Sequence, residues 1–263
     1  MMRLKLAGYH SGCECELIIH AESASDARRK DAFVETLLTH FPGQHSQKLS
    51  PQHQGTDQQQ KGKLGVGGAH GDFELLFCSV APGPTDTEPS GTASSITLAL
   101  LDAPAPGTAS SGTATIVGPS NCGALPSAWF AELLLQGTLL RRIMGQDFAD
   151  ISLFLKPNPA HKLIWAWIEH ASSYAPTSEE IAGAFGSPDL HCTETALCIG
   201  FWGDAGGDMP DILASLESIS SSLPNDAKVA YTDAVLPSHW SARLGDCPKG
   251  GTLIALRSRR GSQ

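Results

Sequence analysis

The segment Thr195-Ala196-Leu197-Cys198-Ile199-Gly200-Phe201-Trp202 is apolar at almost every position. Successive side chains of a strand point to opposite faces, so an unbroken apolar run is typical of a strand that is covered on both faces. A glycine-rich stretch follows it. Residues 210–223 then repeat apolar side chains at helical spacing, and Pro224 stops them. The sequence therefore predicts a strand–loop–helix unit whose strand lies inside a sheet.

The rest of the chain also alternates strand-like and helix-like segments. We predict further strands at 3–9, 13–20, 72–80, 95–101, 113–117, 150–156, 228–236 and 252–257, and further helices at 25–41, 126–144, 158–171 and 177–186. The order is roughly ββαβββα followed by βααβαββ. Strands interleaved with helices predict an α+β or α/β fold, a mixed β-sheet covered by helices.

The helix expected at 158–171 has the most regular spacing in the chain. Asn158-Pro159 resembles a helix start, and apolar residues then recur at i, i+3, i+4, i+7, i+8 and i+11. These are Ala160, Leu163, Ile164, Trp167, Ile168 and Ala171. On such a helix Trp165 would lie off the apolar face, and His161 and His170 would face solvent. Their separation does not match the i, i+4 pair of a zinc-binding helix.

Three segments have loop-like composition. Residues 43–63 are rich in Gln, His, Gly and Lys and nearly lack apolar side chains, so we expect them to be disordered. Residues 82–93 and 103–112 are rich in Pro, Gly, Ser and Thr, so we expect loops. We interpret residues 1–263 as a single compact unit. A division into two parts near residues 104–125 is the alternative.

The charge pattern argues against nucleic-acid binding. The 263-residue chain has a net charge of -9, and no Lys or Arg occurs between Leu64 and Leu140. Basic residues cluster only at Arg28-Arg29-Lys30 and in the tail at residues 257–260. Binding to a phosphate backbone requires clustered Lys and Arg. We therefore predict no nucleic-acid partner.

Hydropathy and cysteine content predict an intracellular, water-soluble protein. No stretch reaches the roughly 18 apolar residues that a membrane helix needs, so we expect no membrane partner. The basic opening at residues 1–8 lacks the apolar run of a signal peptide. The seven cysteines are an odd number in a chain of ordinary length, so we expect reduced thiols in the cytoplasm or the nucleus.

The loop from Trp202 to Asp208 is the main candidate for a ligand site, because ligands of open α/β sheets bind beyond the carboxyl ends of strands. We predict that its ligand-binding residues are Trp202, Asp204, Gly206, Gly207 and Asp208. The alternative is purely structural: the glycines form a turn, and Asp208 caps the helix that follows.

Two residues outside this loop are candidates for chemical reactivity, and neither identifies a cofactor. Cys122 precedes an expected helix, where a thiol has a lowered pKa. His191 could act as a base. The pair Cys13 and Cys15 shares a strand face with apolar residues, so we interpret these thiols as core side chains. The spacing of the remaining His and Cys residues predicts no metal site.

Two hypotheses about function follow from these patterns. The first is a non-catalytic interaction or accessory protein, a subunit of an assembly with a protein partner or a second copy of the chain. It rests on apolar residues that exceed one helix face, namely Trp129, Phe130 and Trp165. The alternative is a small-molecule enzyme, a transferase or hydrolase, with its site at residues 202–208. The sequence does not decide between them.

Overall fold

The structure is a computed structural model. It describes residues 1–7, 14–40, 46–47, 70–79, 95–101, 114–116, 127–139, 148–156, 161–170, 175–202, 207–235 and 250–259.

These residues form ten strands and six helices. The strands are Met2–Ala7 (β1), Glu14–Ala21 (β2), Ser46–Gln47 (β3), His70–Phe77 (β4), Ser95–Leu100 (β5), Ala114–Ile116 (β6), His161–His170 (β7), Thr193–Trp202 (β8), Lys228–Val235 (β9) and Gly250–Arg259 (β10). The helices are Ala24–His40 (α1), Ala128–Leu139 (α2), Phe148–Leu155 (α3), Ser178–Phe185 (α4), Ser187–His191 (α5) and Met209–Ser221 (α6). The mixed α/β fold class is confirmed.

The first sheet has the strand order β3-β1-β2-β4-β5-β6. Strands β1 and β2, which the sequence predicted, pair antiparallel, whereas β2, β4, β5 and β6 run parallel. The prediction of disorder for 43–63 is wrong at residues 46–47, which pair with β1 as β3. The other residues of that segment lie outside the described part of the chain, as do 82–93 and the predicted loop at 103–112.

The second sheet has the order β7-β10-β8-β9, in which β8 runs parallel to β9 and antiparallel to β10. The sequence favoured one sheet, and the structure has two. As predicted, β8 is an interior strand with both faces buried. Leu197 and Ile199 belong to the apolar core shared with α2 and α3, while Ala196 and Cys198 belong to a second core with α4, α5 and α6.

One apolar core includes side chains of both sheets. It joins Leu75 and Leu98 of the first sheet to Trp165 and Leu253 of the second, together with α1, α2 and α3. Helix α3 contacts both β5 and β8.

Two predicted elements have the wrong type. The strand expected at 150–156 is helix α3, whose buried residues Ile151, Phe154 and Leu155 follow helical spacing. The helix expected at 158–171 is strand β7. Its residues alternate between the two cores, with Trp165 on one side and Ala166 on the other. Because both faces of β7 are covered, its apolar run also matched the helical spacing.

Local signals predicted α1, α2, α4 and α6, whereas the short helix α5 was not predicted. Thr177 and Glu180 form the capping box of α4, which begins within the predicted segment 177–186, and Gly186 ends that helix with a positive φ of 74°. Helix α6 begins at Met209, directly after its cap residue Asp208.

Candidate functional site

Strands β7, β8 and β9 end at the same side of the second sheet, which we call the second carboxyl edge. Gly250, the first residue of β10, pairs with His170 at the end of β7 and with Trp202 at the end of β8. Strand β9 ends beside Trp202 at Val235. The glycine-rich stretch singled out in the sequence therefore leaves the sheet where ligands of such sheets bind.

Trp202 is completely buried, and its ring lies against Gly207, two residues before α6 begins. Gly207 has a φ of 84°, and a Cβ at this position would overlap the Trp202 ring. Position 207 therefore requires glycine both for its backbone conformation and for the close approach of the indole. Asp204 and Gly206, the other predicted ligand-binding residues of this stretch, lie outside the described residues.

Three backbone N–H groups around the start of α6 have carboxylate acceptors. Asp211 Oδ2 accepts from the N–H groups of Gly207 at 3.0 Å and Asp208 at 3.3 Å, and Asp208 Oδ1 accepts from the N–H of Asp211 at 3.2 Å. This reciprocal cap confirms that Asp208 caps its own helix. These three donors are therefore occupied by carboxylates and are not open to a phosphate.

His170 lies at the second carboxyl edge, and the prediction that it faces solvent is wrong. Its side chain is only 2% exposed, and its ring centroid lies 5.4 Å from that of Trp202. The Nε2 atom is 2.8 Å from the hydroxyl of Thr252. The Nδ1 atom is buried and has no hydrogen-bond partner among the described residues. The spacing of residues 164, 166, 168 and 170, two apart as on one face of a strand, was the signal that could have revealed the burial of His170.

Burial controls the charge of this imidazole. It lowers the pKa of His170 from 6.5 to about 4, and the nearby Glu180 opposes that shift only in part. At neutral pH the ring is therefore uncharged. It carries one N–H donor and one acceptor nitrogen, of which one is used by Thr252.

Further buried polar groups lie on the same face of the sheet, beneath α6. The Tyr231 ring crosses Gly200, where a Cβ would overlap its hydroxyl, and that hydroxyl bonds to Ser215. Burial raises the pKa of Tyr231 and of the neighbouring Cys198 thiol, so both stay protonated at neutral pH. Asp233 is completely buried on the same strand as Tyr231.

The candidates for reactivity do not converge on this edge. His191 is exposed and ends α5, just before β8 begins, whereas Trp202 ends β8. A ten-residue strand is about 30 Å long, so His191 lies near the opposite edge of the sheet. Cys122 and Cys13 lie outside the described residues. Cys15 is buried in the core, as predicted.

The expectation that Phe130 and Trp165 lie at an exposed surface is wrong. Phe130 is completely buried, Trp165 is 2% exposed, and their ring centroids are 5.5 Å apart in the core between α2 and β7. The error follows from the wrong element type, because Trp165 belongs to a strand with two covered faces. Trp129 is half-buried.

The carboxyl edge of the first sheet, which we call the first carboxyl edge, has a different organisation. Asp26 in the first turn of α1 is 1% exposed. Its carboxylate accepts hydrogen bonds from Ser23, from Ser79 at 3.0 Å and from Arg29 at 3.1 Å. Burial raises the pKa of Asp26, but these hydrogen bonds outweigh it and leave the pKa below its usual value.

Arg29 extends this network to the ends of two strands. Its guanidinium donates to the carbonyl oxygens of Cys78 and Leu100, each at 3.3 Å, and lies 5.5 Å from the centre of the Phe77 ring. The carbonyl of Cys78, directly after β4, and that of Leu100, the last residue of β5, are therefore bonded within the chain.

The described residues contain no group of three or more His, Cys, Asp and Glu side chains that could hold a metal ion. Among the helices of the described ranges, none combines the length and apolar character needed to cross a membrane.

No protein-family model matches this chain, and no curated protein is similar to it in sequence. Solved structures show a distant likeness. An FtsZ dimer from M. jannaschii is 13% identical, with a TM-score of 0.39, and the match covers 57% of this chain and 45% of that one. A mutant FtsZ from the same organism is 12% identical, with a TM-score of 0.42 and coverage of 72% and 65%.

A GDP-form TubZ protofilament of Bacillus thuringiensis serovar israelensis is 7% identical, with a TM-score of 0.37 and coverage of 92% and 58%. The chain thus spans between 45% and 65% of the length of these structures. At such identities and scores, the likeness concerns the general α/β architecture and carries no statement about function.

Proposed function

We propose that this chain is a non-catalytic accessory protein that binds a small ligand at the second carboxyl edge. The observation that carries the proposal is the buried Nδ1 atom of His170, which has no partner among the described residues. Leaving a buried polar atom without a hydrogen bond costs about 1–3 kcal/mol. A ligand that bonds to this atom would recover that free energy.

The position of His170 supports the proposal. It ends β7 beside Trp202, at the point where the stretch 203–206 leaves β8. The rings of Trp202 and Tyr231 are fixed against Gly207 and Gly200. A rigid aromatic floor beneath a polar atom is typical of sites that bind small molecules.

The chemistry of the edge favours binding over catalysis. A general base works best when its pKa is near the working pH, whereas burial lowers the pKa of His170 to about 4. Its partner Thr252 is completely buried, and burial raises the pKa of the Cys198 thiol. A transferase or hydrolase at residues 202–208 is therefore the less supported alternative.

The experiment is a titration of the full chain, labelled with ¹⁵N in its histidine rings, with a library of small polar molecules. We expect at least one compound to shift the Nδ1 resonance of His170 in a saturable manner. His191, which is exposed and lies near the opposite edge of the sheet, serves as the internal control and should not shift.

The matched variant is His170→Gln. A glutamine amide can take the position of Nε2, so it retains the bond to Thr252 and lacks the Nδ1 atom. We expect this variant to fold and to lose binding of the selected compound. If no compound shifts His170, or if His170→Gln binds as well as the unaltered protein, the proposed function is wrong.

A protein partner or a second copy of the chain is the second candidate. Met209 and Leu213 lie one turn apart on α6 and are 45% and 57% exposed, and such apolar pairs are enriched in contact surfaces. Light scattering should detect an assembly that the variant Leu213→Glu disrupts. A monomer at all concentrations tested would contradict self-association.

We also propose an intracellular location, in the cytoplasm or the nucleus, and a single unit for residues 1–263. The first is supported by the described cysteines, which form no disulfide bond with one another. The second is supported by the core that contains side chains of both sheets. One calorimetric transition is expected for the full chain, and two would contradict the single unit.

A further inference from the structure

We draw no further inference here: the strongest candidate, the side-chain cluster that His161, Glu194 and Arg259 form at the amino edge of the second sheet, carries none because nothing in the described part of the chain shows what covers the buried Nδ1 atom of His161.

Discussion

The two carboxyl edges of this molecule differ in how their buried polar groups are bonded. Each lies where parallel strands end and a helix begins. At the first edge, Asp26 and Arg29 bond to each other, to neighbouring hydroxyls and to strand carbonyls. At the second edge, aromatic rings fill the space and His170 keeps one nitrogen without a partner among the described residues.

The difference shows which edge is available for a ligand. A network whose donors and acceptors are bonded to one another gains little from an added molecule, and each member is costly to remove. A rigid apolar floor with one polar atom left over can gain a hydrogen bond from outside. The comparison therefore favours the second edge as the binding region and a purely structural role for the first.

The largest expected effect is at the first edge. Asp26→Ala leaves the Arg29 guanidinium and the hydroxyls of Ser23 and Ser79 without their shared acceptor. We expect the free energy of unfolding to fall by about 4 kcal/mol. Urea denaturation measures this loss. A change below about 1 kcal/mol would mean that the first edge is not held by this network.

Gly207→Ala at the second edge should have the next largest effect. The substitution forces a positive φ on alanine and places its Cβ against the Trp202 ring. We expect a loss of about 3 kcal/mol, measured by urea denaturation. Gly183→Ala is the control, since no atom lies within 4 Å of the added Cβ and the residue is helical. Equal stabilities of the two variants would show that position 207 accepts a side chain without strain.

The third largest expected effect is the pH dependence of stability, which also distinguishes the two edges. The pKa of His170 is about 4 in the folded protein and near 6.5 in the unfolded chain, so the unfolded state binds the extra proton between these values. Stability is therefore lost as pH falls from 6.5 towards 4, and between pH 7 and 5 we expect a loss of about 2 kcal/mol. Because the pKa of Asp26 is lowered in the folded protein, the stability that this carboxylate contributes should be lost only below its ordinary pKa of 3.8.

Denaturation of the unaltered protein and of His170→Gln at a series of pH values measures this contribution. The variant should lack the component between pH 7 and 5. The same drop in both proteins would assign it to another group and would argue against a buried neutral imidazole.

The smallest expected effect is at the amino edge of the second sheet. His161 and Glu194 form a partly exposed pair with Arg259. His161→Gln should change the free energy of unfolding by less than about 1 kcal/mol at neutral pH. Thermal denaturation of His161→Gln and of Asp26→Ala measures both losses of stability. A similar loss in the two variants would show that the buried and the exposed network contribute equally to stability.

The sequence predicted most elements because their signals are local. The interior strand β8, the helix predicted at 177–186 and the helix after Asp208 were each identified from their own residues. The exchange of helix and strand at residues 148–170 was not predictable in this way. An apolar run covered on both faces satisfies both periods, so only the tertiary packing of β7 decides between them.

The candidate site was predicted only in part. The position of the edge followed from the strand–loop–helix pattern around Trp202, and so did the cap at Asp208. The burial of His170 was missed because its environment is formed by Thr252, 82 residues away in the sequence. Contacts of this kind depend on strand order, which a single sequence does not specify.

The position of α2 has a consequence for dividing the gene. Every residue of this helix from Phe130 to Gly137 is buried, and its core draws on both sheets. A fragment that ends or starts beside α2 would expose to solvent either the apolar surface of this helix or the apolar sheet surface that it covers. Each half alone should therefore aggregate. Complementation from two separate polypeptides should therefore succeed only when both are synthesised together in the same cell.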